Sequence, residues 1–393
     1  MMINGREILQ TGYYAFHKDN AFNFQMNRFY AQSVFSYEEL MELGAKIDGF
    51  ESWIRLFSEL GAEAEKNNEP LKAATCYRAA QFYTLSGETD EEGRSLKHVL
   101  YEKCRRMYDL YYGQFEMLKY TQIPFQNYCL PVYYAKCEKP LGEIVIHGGY
   151  DSIAQEFLVM LIYLHELNYN VYFFEGPGQG EVLMRHDVRM TPEWGQCTKA
   201  VLDYFGLKDV TLIGISLGGY LAPQAALHEP RISRVVMYDL IYDFYGALLA
   251  KMGKAAGFFD WMCRHPRNLL WKVLDRKIEK SYFGSWLLKQ GYAIYENVHT
   301  PCEYFNYIRA FSTREISPQI TQDTLVLAGA NDIYTIFYVE QLNALKSAKS
   351  VTGRLFTEAE HADMHCQIGN MELLLRTITD WIREKSDGTQ SGD

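Results

Sequence analysis

The spacing of apolar side chains divides this chain in two. Up to about residue 115 they recur at helical intervals. Ser36-Tyr37-Glu38-Glu39-Leu40 opens like a capped helix, and residues 51–67, 69–85 and 91–112 each carry an apolar stripe, with Asn67-Asn68 and Ser86-Gly87 as breaks. Residues 73–83 mix small and aromatic side chains as a helical hairpin does, but no second copy follows at a fixed period, which argues against a solenoid.

Beyond about residue 115 the period shortens. Residues 115–120 and 127–135 read as two strands, and Pro131 assigns at least one of them to an edge. A buried strand then runs into the turn His147-Gly148-Gly149-Tyr150, followed by a helix over 153–167, a strand over 171–174 and the turn Glu175-Gly176-Pro177-Gly178-Gln179-Gly180. A helix over 192–205 leads to a strand ending in Gly214-Ile215-Ser216-Leu217-Gly218, and helix-compatible sequence starts at Tyr220. Strands over 234–238, 324–329 and 351–356 alternate with helices over 336–345 and 371–384. Such alternation specifies a mostly parallel sheet with helices on both faces. The expected division is a helical N-terminal region over 1–114, an α/β core over 115–242 and 318–385, a helical, aromatic insertion over 243–317 and a disordered tail over 386–393.

The chemistry gathers at the predicted strand ends. G-x-S-x-G between a strand and a helix lifts a serine clear of the sheet, and Gly214 and Gly218 let strand and helix approach. A serine hydroxyl needs a base to take its proton and a carboxylate to orient that base. Both should follow Ser216 in the chain. Asp332 stands directly after an apolar strand, where it could instead cap the next helix; Asp239 and Asp243 are the runners-up. His361 and His365 both lie between the last strand and the last helix, and position does not separate them. The backbone N–H of Leu217, with that of Gly149 or Tyr150, would form the oxyanion hole. His147 precedes the serine and reads as a structural hydrogen-bonder. The 175–180 turn lacks the G-K-[ST] ending of a phosphate loop.

Composition narrows the class. A chain of 393 residues can hold one large domain and an accessory one. The net charge of −10 and the lack of a Lys/Arg cluster argue against nucleic-acid and anionic-membrane partners. No secretory leader or apolar run of spanning length is read from the sequence, so a cytoplasmic location is expected. The eight cysteines include no C-x-x-C pair and read as reduced thiols. The abundance of aromatic residues, 30 Tyr and 22 Phe, fits interdomain packing or a pocket for a flat ligand, and the helical region is compatible with a homodimer.

Together these motifs resemble the α/β-hydrolase superfamily. More narrowly, Gly148-Gly149-Tyr150-Asp151-Ser152, Gly176-Pro177-Gly178-Gln179-Gly180-Glu181, Gly214-Ile215-Ser216-Leu217-Gly218-Gly219, His365-Cys366-Gln367-Ile368-Gly369 and the helix around Ala79-Ala80-Gln81-Phe82-Tyr83 resemble one branch of it. That branch has a helical N-terminal region and includes fungal hydrolases that shorten polyketides and the bacterial 2,6-dihydroxypseudooxynicotine hydrolase. The resemblance implies an α/β-hydrolase fold with a helical cap, no metal and no organic cofactor, and cleavage of an ester or of a carbon–carbon bond beside a ketone in a small molecule. It selects His365 over His361, although Glu175 replaces the more usual Asp and His361 occupies a position where glycine is common. An acyltransferase or peptidase on the same scaffold, and a non-catalytic binding or regulatory protein, are the competing readings.

Overall fold

Residues 9–266 and 269–390, with the backbone of residues 2–3 and 6–7, are described by a computed structural model; the side chains of Asp275, Glu279 and residues 387–390 lie outside that description. Two short strands, β1 (Met2–Ile3) and β2 (Arg6–Glu7), pair antiparallel. The helices α1 (Asn20–Ala31), α2 (Tyr37–Lys46), α3 (Phe50–Lys66), α4 (Pro70–Tyr83) and α5 (Leu96–Tyr112) follow. Ser36 and Glu39 close a reciprocal capping box at the start of α2. Helix α4 is buried on nearly every side, between α3 and α5, and the Trp53 indole N–H donates to its Ala79 carbonyl at 2.8 Å.

Two departures from the sequence reading in this region have local causes. Helix α5 starts at Leu96 rather than residue 91 because Asp90 Oδ1 accepts from the N–H groups of Glu92 and Arg94 and holds them in a turn. Helix α1 was not foreseen. Its Asn23, Gln25 and Asn27 are buried, which breaks the apolar stripe, and Asn27 exchanges hydrogen bonds with the Tyr14 backbone in both directions.

The sheet comprises β3 (Lys119–Phe125), β4 (Tyr128–Ala135), β5 (Glu143–His147), β6 (Asn170–Phe174), β7 (Val210–Ile215), β8 (Ile232–Tyr238), β9 (Asp323–Gly329) and β10 (Ser350–Phe356). Its spatial order is β10-β9-β8-β7-β5-β6-β4-β3, parallel from β10 to β6, with β4 and β3 added antiparallel. The edge strand β3 starts at Lys119 rather than residue 115 because the N–H groups of Phe115 and Leu118 close turns onto Tyr112 and Phe115.

One face carries α6 (Leu158–Glu166), entered through a 3-10 turn, and packs on the N-terminal helices. The opposite face carries α7 (Gly180–His186), which the sequence reading passed over, α8 (Gly195–Phe205) and α9 (Gly218–Ala226). Between β8 and β9 the chain forms α10 (Phe244–Lys251), α11 (Ala256–Arg264), α12 (Leu270–Glu279), α13 (Tyr282–Ile294) and α14 (Pro301–Tyr307). The insertion meets the N-terminal helices directly: Tyr282 stacks on Phe50 at 4.6 Å, and the Trp286 indole donates to the Phe82 carbonyl at 2.6 Å.

The chain closes with α15 (Tyr338–Ala344) and α16 (Met371–Gln390). Helix α16 extends over residues 386–390, where a disordered tail was predicted; residues 391–393 lie outside the described part. Among the described residues no helix is long and apolar enough to cross a membrane.

Candidate active site

The turn from β7 into α9 holds Ser216 in the left-handed region, φ 59°. Its N–H donates to the Tyr238 carbonyl at 2.5 Å and its own carbonyl accepts from Gly219 N–H, which pins the strained residue from both sides. Glycine is needed here for space. A Cβ on Gly214 would sit 2.0 Å from the Gly218 carbonyl oxygen, and one on Gly219 would sit 1.7 Å from that of Asp239. Gly218, singled out from the sequence, is less confined: its nearest neighbour would be 3.1 Å away.

The loop after β10 carries His365 to this serine, with Nε2 2.8 Å from Ser216 Oγ. Its Nδ1 lies 2.5 Å from Asp332 Oδ2. A carboxylate only accepts, so Nδ1 carries the proton and Nε2 is left to accept from the serine hydroxyl. Burial alone would depress the imidazole, but the Asp332 charge outweighs it and raises His365 well above the ordinary histidine value. In return, His365 overcomes the burial of Asp332 and holds that carboxyl below its usual range.

Asp332 also caps the turn after β9, its Oδ1 accepting from Tyr334 N–H at 3.2 Å. Capping and pairing with His365 were alternatives in the sequence; the structure has both. Of the runners-up, Asp239 has an oxygen 3.6 Å from His365 Nδ1 and accepts from Cys366 N–H at 2.9 Å. Burial and the neighbouring Asp332 charge push Asp239 well above the usual carboxylate range. Asp243 instead caps α10 and pairs with Arg314. His361 is exposed, with φ 56°, a conformation that explains why glycine suits the position.

The turn after β5 approaches from the other side. A Cβ on Gly149 would meet the Leu217 nitrogen at 2.5 Å. Gln179 Nε2 donates to the carbonyls of Gly148 and Gly149, at 2.8 and 3.0 Å, while its Oε1 accepts from Gly176 N–H. In a planar trans peptide the N–H points opposite to the carbonyl, so these bonds turn the N–H groups of Gly149 and Tyr150 away from Gln179. None of the described residues accepts from the N–H of Gly149, Tyr150 or Leu217. This assigns a purpose to the Gly-Pro-Gly-Gln-Gly turn that its sequence did not reveal.

Glu175, at the head of that turn, accepts from the N–H groups of Ala154 and Glu181, both at 2.7 Å, and burial raises it to about 7. His147 is fully buried, with Nδ1 2.9 Å from the Gly148 carbonyl oxygen, and burial lowers it to about 4.

Among the described residues, none of the eight cysteines is joined in a disulfide. Among the described residues, Asp239, His365 and Cys366 bring metal-type donor atoms within 4.8 Å of one another, but both His365 nitrogens already face Ser216 and Asp332. A metal there would have to displace one of these contacts.

A cavity of about 330 Å³ opens over Ser216. Phe244, Leu248, Trp286, Tyr304 and Tyr334 supply an aromatic and aliphatic wall from the insertion and the loop after β9. Helix α1 supplies Phe24, Gln25 and Arg28, and α4 supplies Arg78 and Phe82. Sequence reasoning expects the cap and the N-terminal helices to wall the pocket but names none of these residues for it. The one local signal was an arginine, Arg78, inside the small and aromatic run of α4.

The profile of the alpha/beta hydrolase family matches residues 144–366. The chain belongs to this family. Hydrolyase poxO of Penicillium oxalicum is 31% identical over 310 residues, covering 69% of this chain and 72% of that one. Alpha/beta hydrolase psoB of Aspergillus fumigatus is 28% identical over 303 residues, covering 65% and 68%. The crystal structure of 2,6-dihydroxy-pseudo-oxynicotine hydrolase superposes with a TM-score of 0.63 at 20% identity, over 90% of this chain and 94% of that one. The protein is therefore a hydrolase of the α/β type, in the branch with a helical N-terminal region.

Proposed function

We propose that this hydrolase cleaves an ester, or a carbon–carbon bond next to a ketone, in a small molecule, using Ser216 as nucleophile, His365 as base and acid, and Asp332 to orient and charge-stabilise His365. The contact chain Ser216–His365–Asp332, at 2.8 and 2.5 Å, carries this reading.

Ser216 Oγ adds to the carbonyl carbon while its proton passes to His365 Nε2. The oxyanion is received by the N–H groups of Leu217 and of Gly149 or Tyr150. Collapse breaks the bond to the leaving group, an alkoxide or a resonance-stabilised enolate, and His365 returns the proton to it. Water, deprotonated by His365, then hydrolyses the acyl-enzyme. No step calls for a metal or an organic cofactor, and neither nucleic acid nor membrane takes part.

A fluorophosphonate probe should label the wild type and spare Ser216→Ala, and ester turnover should fall about 10⁴-fold or more in Ser216→Ala and His365→Ala but little in His361→Ala. Equal labelling of both proteins would overturn the proposal. Product analysis with an added alcohol distinguishes hydrolysis from acyl transfer.

A further inference from the structure

The lining of the cavity has two chemically different parts. The aromatic and aliphatic wall is one. In the other, the Glu156 carboxylate is shared by two arginines: Arg28 Nη2 donates to Oε1 and Arg78 Nε to Oε2, both at 2.9 Å. The side chains of Arg78 and Glu156 are 5% and 8% exposed, and that of Arg28 is 14% exposed, so little bulk water screens the group.

Two guanidinium groups against one carboxylate leave one positive charge over. Asp151, Lys97 and the Cys104 thiol also face Arg78, and burial lowers Lys97 to about 7 and raises Asp151 and Cys104, each toward its neutral form. Asp151 takes its side-chain bond from Gln290, and Lys97 gives its hydrogen bonds to the carbonyls of Gln81, Phe82 and Thr84. An unbalanced buried charge is costly unless something compensates it.

The two arginines are not equivalent. Each nitrogen of Arg78 already has a partner: Nε on Glu156, Nη1 on Gln81 and Nη2 on the Asp151 carbonyl. Arg28 uses Nη1 on Gln25 and Nη2 on Glu156, and its Nε meets no acceptor among the described residues. Three of its five N–H donors thus have no acceptor among the described residues, and the guanidinium, which lies 5.9 Å over the Phe157 ring, belongs to the cavity lining.

The helix fixes where those donors lie. The Phe24 ring stands 6.4 Å from the His365 ring, and Arg28 follows four residues later on the same face of α1. That is about one helical turn, roughly 6 Å along the axis from Phe24.

We propose that Arg28 is a specificity-determining residue that binds a carboxylate carried by the substrate, held away from the scissile carbonyl while the apolar body lies against the aromatic wall. The guanidinium fork matches a carboxylate, and the leftover positive charge of the Arg28–Glu156–Arg78 group is neutralised when it binds. The substrate class is then an elongated acid with an apolar or aromatic body. This rests on the cavity being the substrate site of the hydrolase described above.

Ser216→Ala protein is titrated calorimetrically with 5-phenylpentanoate and with neutral 5-phenylpentanamide, in the Arg28, Arg28→Met and Arg28→Lys backgrounds. The acid should bind at least tenfold more tightly than the amide. Arg28→Met should remove that preference, and Arg28→Lys should keep a reduced one. Equal affinities in the Arg28 background, or a preference that survives Arg28→Met, would overturn the inference. The Arg28 comparison decides even if Arg28→Met fails to fold. Binding is read without turnover, so a carboxylate preference in a protein that hydrolyses no ester would count against the hydrolase mechanism alone. Ester turnover without the preference would count against Arg28 alone.

Discussion

The Asp332 carboxylate gives one oxygen to the Tyr334 N–H and the other to His365, so the backbone fixes the orientation of the acid before any substrate arrives. The electrostatic result is a histidine held above its ordinary value of 6.5. The base must be neutral, so kcat/KM should rise with pH along a limb lying above 6.5. In Asp332→Asn the charge that raises His365 is gone. The limb should move down toward the ordinary value while kcat falls about 10⁴-fold, as a pH–rate profile of both proteins would measure. A limb that stays in place would mean that Asp332 does not set the basicity of His365. At this scale the sequence was informative: Ser216, Asp332 and the two histidines stand in the order the chemistry needs, next to strands that could be read. The choice of His365 came from resemblance, and a physical ground is visible only in the fold, where His361 turns outward with a positive φ.

Among the elements, the parallel strands were legible because they are short apolar runs between glycine-rich turns, whereas α1 was hidden by its buried amides. The Arg28–Glu156–Arg78 group could not be found from spacing, since its members are 128 and 78 positions apart. It joins α1 and α4 to the 3-10 turn ahead of α6. Burial pushes Glu156 up, but the two arginines outweigh it and hold the carboxyl below its ordinary value of 4.5. A depressed carboxyl stabilises the fold above its unfolded value and loses that contribution as pH falls through the folded one. Glu156→Gln leaves two buried guanidiniums without their carboxylate and should cost about 3–5 kcal/mol, measured by denaturant unfolding at pH 7. The difference from wild type should shrink as the pH falls below the ordinary carboxyl value of 4.5 and through the lower folded one.

Over the whole molecule, one apolar cluster runs from Trp53 and Phe57 in the N-terminal helices through Leu161 to Leu374 and Trp381 without a break at the expected boundary near residue 114. The accessory region and the sheet should therefore unfold together. In hydrogen exchange followed by mass spectrometry, peptides from α3–α4 and from β5–β7 should lose protection at the same denaturant concentration. Earlier loss in α3–α4 would show an independent unit.

The cavity that spans these two regions is walled by both. Ser216, Asp332 and His365 stand on the sheet, while Phe24, Gln25, Arg28 and Arg78 reach the same space from the first eighty residues of the chain. On the proposed function, exchanging the first eighty residues would change the walls that meet the substrate and leave Ser216, Asp332 and His365 in place.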